Sequence, residues 1–257
     1  MTGKKLLYAA YAAASYTIGM GALLYLMGFV IGAPLPKTVD GGPALGAIAG
    51  GFAWNLAITV AFLIPHSVMA RPRFKAWWTK LIGAERERAT YVLISGLSVF
   101  ALVIGWDPIP MVIWHVDLPA ARLGLIAAYG LGWTTILVAT FNIDHFAFFG
   151  LRQIWHAIVG RPPLTPVFTA RWLYGWVRHP ISLGWIVVFW TTPHMSAGHL
   201  LLSVVMTLYI LIVTPLEEAD LVAELGDEYR SYRGKVRRFL PRPPRPARPT
   251  SRPGGIS

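Results

Sequence analysis

The stretch Arg171-Trp172-Leu173-Tyr174-Gly175-Trp176-Val177-Arg178-His179-Pro180 opens onto a run, Ile181 to Leu216, that holds no Asp, Glu, Lys or Arg. Charge returns at Glu217-Glu218, and Tyr229, Tyr232 and a basic stretch follow. A charge-free segment of this length, closed at both ends by ionisable groups, reads as a hairpin of apolar helices whose two mouths meet at one membrane face. Pro180 suits the first position of a helix, where its missing N–H costs nothing. Arg178 and His179 then stand beside a helix N-terminus, an end that favours anions. Glu217 and Glu218 bring negative charge to the same level from the far end of the next helix. Taken singly, each pair is an ordinary helix-end feature; together they form a site able to hold a zwitterion carrying a carboxylate, an amino group and a ribose.

Composition sets the class around that hairpin. Of 257 residues, 55% are hydrophobic and 14% charged, with 11 Trp, and the mean hydropathy is +0.52. That is too apolar for a soluble domain of this size and defines a polytopic membrane protein. Runs long enough to cross a bilayer, about 17 to 25 residues, are Leu6–Gly32, Leu45–Pro65, Thr90–Trp106, Leu123–Phe141 and Gly198–Leu216. Ile181–Pro193 is short and either crosses with tilt or bends back. The expectation is an all-α transmembrane helical bundle of five to six spans. Pro215 is expected to bend or break the last span just before the glutamates.

The loops differ sharply in charge. Lys4, Lys5, Arg71, Arg73, Lys75, Lys80, Arg86, Arg88, Arg152, Arg161, Arg171 and Arg178 fall on one side, Lys37 and Arg122 on the other. By the positive-inside rule both termini, and the site, face the cytoplasm. The first apolar run is too long for a signal-peptide core and reads as a retained helix. Its Gly19, Gly21 and alanines 9, 10 and 12 to 14 make a small-residue face for packing. The Pro/Arg-rich tail, 242–257, has too little apolar surface to fold and reads as disordered. Its charge suits anionic lipid headgroups rather than nucleic acid.

With no Cys in the chain, disulfides, thiolate metal sites and a Cys nucleophile are excluded. The seven histidines, 66, 115, 145, 156, 179, 194 and 199, are too scattered for a zinc or di-iron cluster, and no metal site is read from them. A bis-histidine haem stays open on spacing alone.

Arg178-His179-Pro180 with Gly184, then Glu217-Glu218, then Tyr229-x-x-Tyr232 before a basic stretch and Pro241, resembles the signature of the isoprenylcysteine carboxyl methyltransferase-like integral membrane methyltransferases. The first half carries His66, Arg71, Glu87-Arg88, Tyr91, Asn142, Asp144-His145, Gly150 and Arg152. In these residues the chain is similar to the bacterial methanethiol S-methyltransferases, over most of residues 54 to 241. The resemblance implies a single transmembrane methyltransferase domain, 1–241, in a bacterial inner membrane, with its cofactor site mainly in 142–241. S-Adenosylmethionine would donate a methyl group to a small thiol, giving dimethyl sulfide from methanethiol and S-adenosylhomocysteine as by-product. Tyr174, Arg178, His179, Pro180, Gly184, Glu217, Glu218, Tyr229 and Tyr232 would line the cofactor pocket. Membrane lipids and the thiol are the implied partners, with no nucleic acid and no obligate protein partner.

Two other readings stay open. One is a methyltransferase for another acceptor, an isoprenylcysteine carboxylate or a lipid amine. The other is an NADPH-dependent reductase like the sterol reductases, which share the Arg-His-Pro signature but carry an aspartate where this chain has Trp185.

Methyl transfer to a thiol needs the thiolate, so a base or cationic field is expected. His145 is the first choice, with Asp144, His66 and Arg152 as base, orienter or field. If the fourth span continues as helix, His145, Arg152 and His156 share one face.

Overall fold

The computed structural model describes residues 3–43, 46, 48–164 and 168–240; the basic tail 242–257 lies outside them. Five helices are long and apolar enough to cross a membrane. They are α1 (Gly3–Ile31), α2 (Ile48–Ala70), α4 (Ala84–Gly105), α5 (Pro119–Ile143) and α10 (Ala197–Leu225), joined by the shorter α3 (Pro72–Ile82), α6 (His145–Phe148), α7 (Leu151–Val159), α8 (Leu173–Trp176) and α9 (Pro180–Trp190), with α11 (Asp227–Lys235) after α10. Proline opens α3, α5 and α9 at the first turn, as its fixed φ and missing donor favour. The one sheet among the described residues is a ribbon, β1 (Val112–His115) antiparallel to β2 (His194–Ser196). It lies at the end of the bundle opposite the arginine-rich one, where Arg122 bonds the Val116 carbonyl, and the all-α reading did not foresee it.

Glycine governs two of the helix crossings. A Cβ on Gly96 of α4 would sit 3.0 Å from the Cα of Gly19 in α1, so these backbones touch. The small-residue face read in the first span is therefore a packing face. A Cβ on Gly184 of α9 would lie 2.8 Å from the carbonyl oxygen of Gly132 in α5. The bare face of Gly184, read as room for a cofactor, is turned to α5. α2 packs on α4 and α10, and α9 on α5 and α10. Phe29, Val103, Trp106, Val188, Phe189 and Leu202 fill the core between them.

The short fifth segment is explained by its two-part construction. Between Ser196 and Glu218, α10 rises about 33 Å. The return leg from His179 has only the 11 residues of α9, about 16 Å. Residues 191–196, which end in β2, carry the chain from α9 to the start of α10. Backbone polar groups cannot be left bare at membrane depth, and here side chains satisfy them. Pro193 has no N–H for the Phe189 carbonyl, which instead accepts from His199 Nε2 at 3.1 Å and Ser203 Oγ at 2.7 Å. Trp114 Nε1 donates to the Thr192 carbonyl at 3.2 Å.

Two local expectations are corrected. Pro215 does not break the last span: α10 runs unbroken through it to Leu225, as α2 does through Pro65 to Ala70. The Leu211 carbonyl that loses its partner belongs to an exposed residue, on the side where a helix tolerates a small bend. The fourth span does not continue as a helix, so His145, Arg152 and His156 share no single helical face. α5 stops at Ile143, Asp144 takes φ 104°, and Gly150 at φ 85° separates α6 from α7. A Cβ on Gly150 would lie 2.4 Å from the Ala89 nitrogen, so only glycine lets this turn approach α4.

Candidate functional site

The two mouths of the apolar hairpin do meet. Glu218, 2% exposed, accepts from Arg178 Nε at 2.9 Å, His179 Nε2 at 3.0 Å and Arg238 Nη2 at 2.8 Å. Arg178 Nη2 also lies 2.8 Å from the same carboxylate. Arg178 Nη1 turns the other way, to the carbonyls of Arg233 (3.1 Å) and Val236. On the main chain, Arg178 N donates to Arg237 O at 2.8 Å and His179 N to Arg238 O at 3.2 Å, a short parallel pairing of residues 177–179 with 237–238. The Arg-His-Pro segment thus fastens the chain that follows α11, and Glu218 is the buried anion that gathers two guanidinium groups and the His179 imidazole. Such a carboxylate is tolerable because its lone pairs are filled by charged donors.

Burial holds His179 below the ordinary imidazole pKa, against the pull of its Glu218 hydrogen bond. At neutral pH it is an uncharged donor. Arg238 is raised further by its bond to Glu218. It belongs to the basic stretch after Tyr232; its place two residues beyond Val236, where the chain re-pairs with the Arg-His-Pro segment, became visible only in the fold.

The two tyrosines complete this brace. Tyr232 donates to the Tyr174 carbonyl at 2.6 Å, and both Tyr229 and Tyr232 pack against Phe168 at 5.9 and 5.1 Å between ring centres. Burial pushes the Tyr229 hydroxyl up to about 12 and raises Tyr174 and Tyr232 as well, so all three stay protonated donors.

Glu217, one residue away, differs completely. Among the described residues it accepts no hydrogen bond and forms no ion pair, although it lies within electrostatic range of Arg71, Asp220 and Glu218. It also lies within range of Tyr91 and Tyr209. Arg71, the residue before α3, binds Asp220 through Nη1 at 2.9 Å, while its buried Nε has no partner. A half-buried carboxylate with no hydrogen-bond partner among the described residues, within electrostatic range of a guanidinium whose Nε is unpartnered, suits an ammonium and a carboxylate from outside the protein.

Next to them lies a polar seam where α2, α4 and α10 meet. Tyr91 Oη is 3.1 Å from His66 Nε2 and 3.2 Å from Nδ1, and His66 Nδ1 is 3.2 Å from Ser95 Oγ. Ser67 donates to Tyr209 Oη at 2.9 Å. Arg88 lies over the Tyr91 ring, 4.9 Å from its centre. His66 therefore shares a neighbourhood with Arg71 and Glu217.

His145 is placed differently. Its Nε2 is 3.0 Å from Tyr16 Oη of α1 and its Nδ1 is 2.8 Å from Thr140 Oγ1 of α5. The ring stacks on Phe141 with 4.3 Å between centres. It is 4% exposed, and burial pulls its pKa down against the nearby Asp144. No hydrogen-bond partner of His145 comes from α2, α9 or α10 among the described residues. Asp144 caps α6 by accepting from Ala147 N at 3.1 Å and pairs with Arg152 at 2.5 Å. These three residues join α1 and α5 to the α6–α7 corner.

A helical protein with five helices long and apolar enough to cross a membrane, and with one glutamate paired and its neighbour unpaired among the described residues, is by fold an integral membrane protein with a cluster of polar groups at its arginine-rich end. No family model matches the chain, and no solved structure does. Curated proteins do. The methanethiol S-methyltransferase of Mycobacterium tuberculosis is 46% identical over 242 residues, 94% of this chain and 99% of that protein. Methanethiol S-methyltransferase 1 of Bradyrhizobium diazoefficiens is 43% identical over 231 residues, 90% of this chain and 81% of that protein. Human Nurim matches at 28% over 183 residues, 68% of this chain and 70% of that protein. The chain belongs to the methanethiol S-methyltransferase family.

Proposed function

We propose that this protein is a membrane methyltransferase that uses S-adenosylmethionine to methylate methanethiol, forming dimethyl sulfide. The observation that carries the cofactor reading is the unpaired Glu217 beside Arg71 with its free, buried Nε. The methionine end of S-adenosylmethionine offers the complementary ammonium and carboxylate. Bound there, the cofactor supplies an electrophilic methyl group on a sulfonium.

The protein's own residues divide the remaining work. Glu218, Arg178, His179 and Arg238 hold α9, α10 and the segment after α11 together, which fixes Glu217 one residue further along α10. Tyr174, Tyr229 and Tyr232 stiffen the same corner. Pro180 and Gly184 set the start and the tilt of α9. Asp144, His145 and Arg152 keep α1 and the α6–α7 corner in place, rather than meeting the thiol. Alignment of the two sulfurs is the larger part of such catalysis, and a rigid brace is what alignment requires. The arginine-rich end faces the cytoplasm of a bacterial inner membrane by the charge rule, giving the site access to soluble cofactor.

The test is headspace gas chromatography with mass detection on membranes holding the protein, given methanethiol and S-adenosylmethionine deuterated in its methyl group. Dimethyl sulfide three mass units heavier is expected, and none from membranes lacking the protein. Deuterium appearing instead in a prenylated peptide ester or a lipid amine would replace methanethiol with that acceptor.

A further inference from the structure

A thiol is mostly protonated near neutrality, since even a cysteine-like thiol has a pKa of about 8.5, so the reaction proposed above needs a place for the thiol proton. The His145 ring nitrogens bond Tyr16 of α1 and Thr140 of α5, neither of which belongs to the seam around Glu217. His66 is the alternative: its nitrogens also meet hydroxyls, but in the seam it shares with Tyr91, within electrostatic range of Glu217. One side is held by Ser95 Oγ at 3.2 Å. The Tyr91 hydroxyl stands 3.1 Å from Nε2, the nitrogen that Ser95 does not meet, within reach for passing a proton. Phe62, itself buried, lies against the ring, 5.3 Å between centres.

We propose that Tyr91 and His66 form the thiol-activating pair: the Tyr91 hydroxyl meets the acceptor's S–H and relays its proton to His66. The S–H bond breaks, the thiol proton goes to Tyr91 Oη as the tyrosine's own proton passes to a His66 ring nitrogen, and the electron pair stays on sulfur for the bond to carbon. Tyr91 ends neutral and His66 ends as imidazolium, later losing its proton to water. This rests on the thiol reading and names the residues that act on the acceptor rather than on the cofactor.

The charged groups around the pair fit that traffic from each helix. From α4, Arg88 lies over the Tyr91 ring at 4.9 Å and within electrostatic range of His66, a positive field that favours the thiolate and, opposing the imidazolium, drives the proton off His66 to water after transfer. From α10, Glu217 lies within range of Tyr91, which with an ammonium seated on it no longer opposes an anion beside the tyrosine. Tyr209, bonded to Ser67, closes the α10 side, and Arg71 with Asp220 closes the α3 side. Tyr91 and His66 thus sit one step from the carboxylate that would hold the donor, as an acceptor sulfur requires.

The experiment compares the native protein with Tyr91→Phe and His66→Gln, each checked for S-adenosylhomocysteine binding by calorimetry. Rates are measured from pH 6 to 9 with methanethiol and with a fluorinated alkanethiol acidic enough to be ionised at pH 7. With methanethiol at pH 7 both variants should lose roughly 10²- to 10⁴-fold in kcat/KM, the range of general-base catalysis. Their rates should then rise about tenfold per pH unit, following the free thiolate, while the acidic thiol loses less than tenfold. In the protein saturated with S-adenosylhomocysteine, the ultraviolet difference absorbance of bound thiolate at pH 7 should be present natively and absent in His66→Gln.

Equal losses for both thiols with no steeper pH dependence would overturn the proposal, as would variants that no longer bind S-adenosylhomocysteine. A native protein that binds cofactor and makes no dimethyl sulfide would instead refute the thiol reading itself, seen before any variant is made.

Discussion

Removing the carboxylate of Glu218 should cost far more than removing a surface ion pair. The side chain is 2% exposed, and Arg178 and His179 are 9% and 10% exposed. Glu218→Ala therefore leaves a buried guanidinium with no counter-ion, which costs about 3 to 5 kcal/mol. Arg238, 38% exposed, can turn to water and adds little. For a chain of 257 residues this corresponds to a fall in unfolding temperature of about 6 to 20 °C, at roughly 2 to 4 °C per kcal/mol. Because the carboxylate also anchors the pairing of residues 177–179 with 237–238, trypsin should cut the native-state variant after Arg233, Arg237 or Arg238 well before the rest. The companion Arg178→Ala should be similarly damaging. The double variant should be less destabilised than the sum of the two by about 1 to 3 kcal/mol, since each single change strands the other's charge. Thermal unfolding in detergent, run on all four proteins, measures the cycle. Additive effects, or a Glu218→Ala shift below about 2 °C, would refute the claim that Glu218 is a structural brace.

Gly96→Ala should destabilise by about 1 to 3 kcal/mol, because the new Cβ would lie 3.0 Å from the Gly19 Cα and 3.1 Å from the Ile18 carbonyl oxygen, backbone atoms that cannot rotate away; unfolding temperature in detergent reads it. His145→Asn should lower that temperature by stranding Tyr16 and Thr140, about 1 to 3 kcal/mol, while turnover per bound cofactor stays within about threefold, in the range of surface-neutral changes. A hundredfold loss of turnover at unchanged stability would restore His145 as the base. His145 and His179 both have pKa values lowered by folding, so the unfolded chain binds protons more readily. Their stabilisation is complete above the unfolded value of about 6.5 and is lost as pH falls below it. Unfolding temperature should drop between pH 7 and 5, less steeply in His145→Asn, and an unchanged slope would contradict the assignment.

The span count and the meeting of Arg178 with Glu218 were legible because both follow from charge. A hairpin without ionisable residues must put its charged ends together, and loops rich in arginine mark one side. The different fates of the two glutamates were not legible. Glu217 and Glu218 are neighbours in sequence, but about 100° apart around α10 one turns inward to the arginines and the other toward α2 and α4, which depends on how α10 is rotated. The surroundings of His145 were hidden for a related reason. An Asp-His pair at a helix end looks like a carboxylate orienting an imidazole, yet Asp144 takes a left-handed conformation that sends its side chain to cap α6 and His145 toward α1. The ribbon of β1 and β2 was hidden because its strands are only four and three residues long, too short for a two-residue alternation to register.

The most direct test of the account is a calorimetric titration of S-adenosylmethionine into the native protein, Glu217→Gln and Arg71→Gln, each with its unfolding temperature measured beforehand without ligand. Loss of a charge-assisted contact of about 1.5 to 3 kcal/mol predicts affinity weakened tenfold or more in Glu217→Gln, with its unliganded unfolding temperature unchanged to within about 2 °C. Native affinity in Glu217→Gln would contradict the division of labour between the two glutamates.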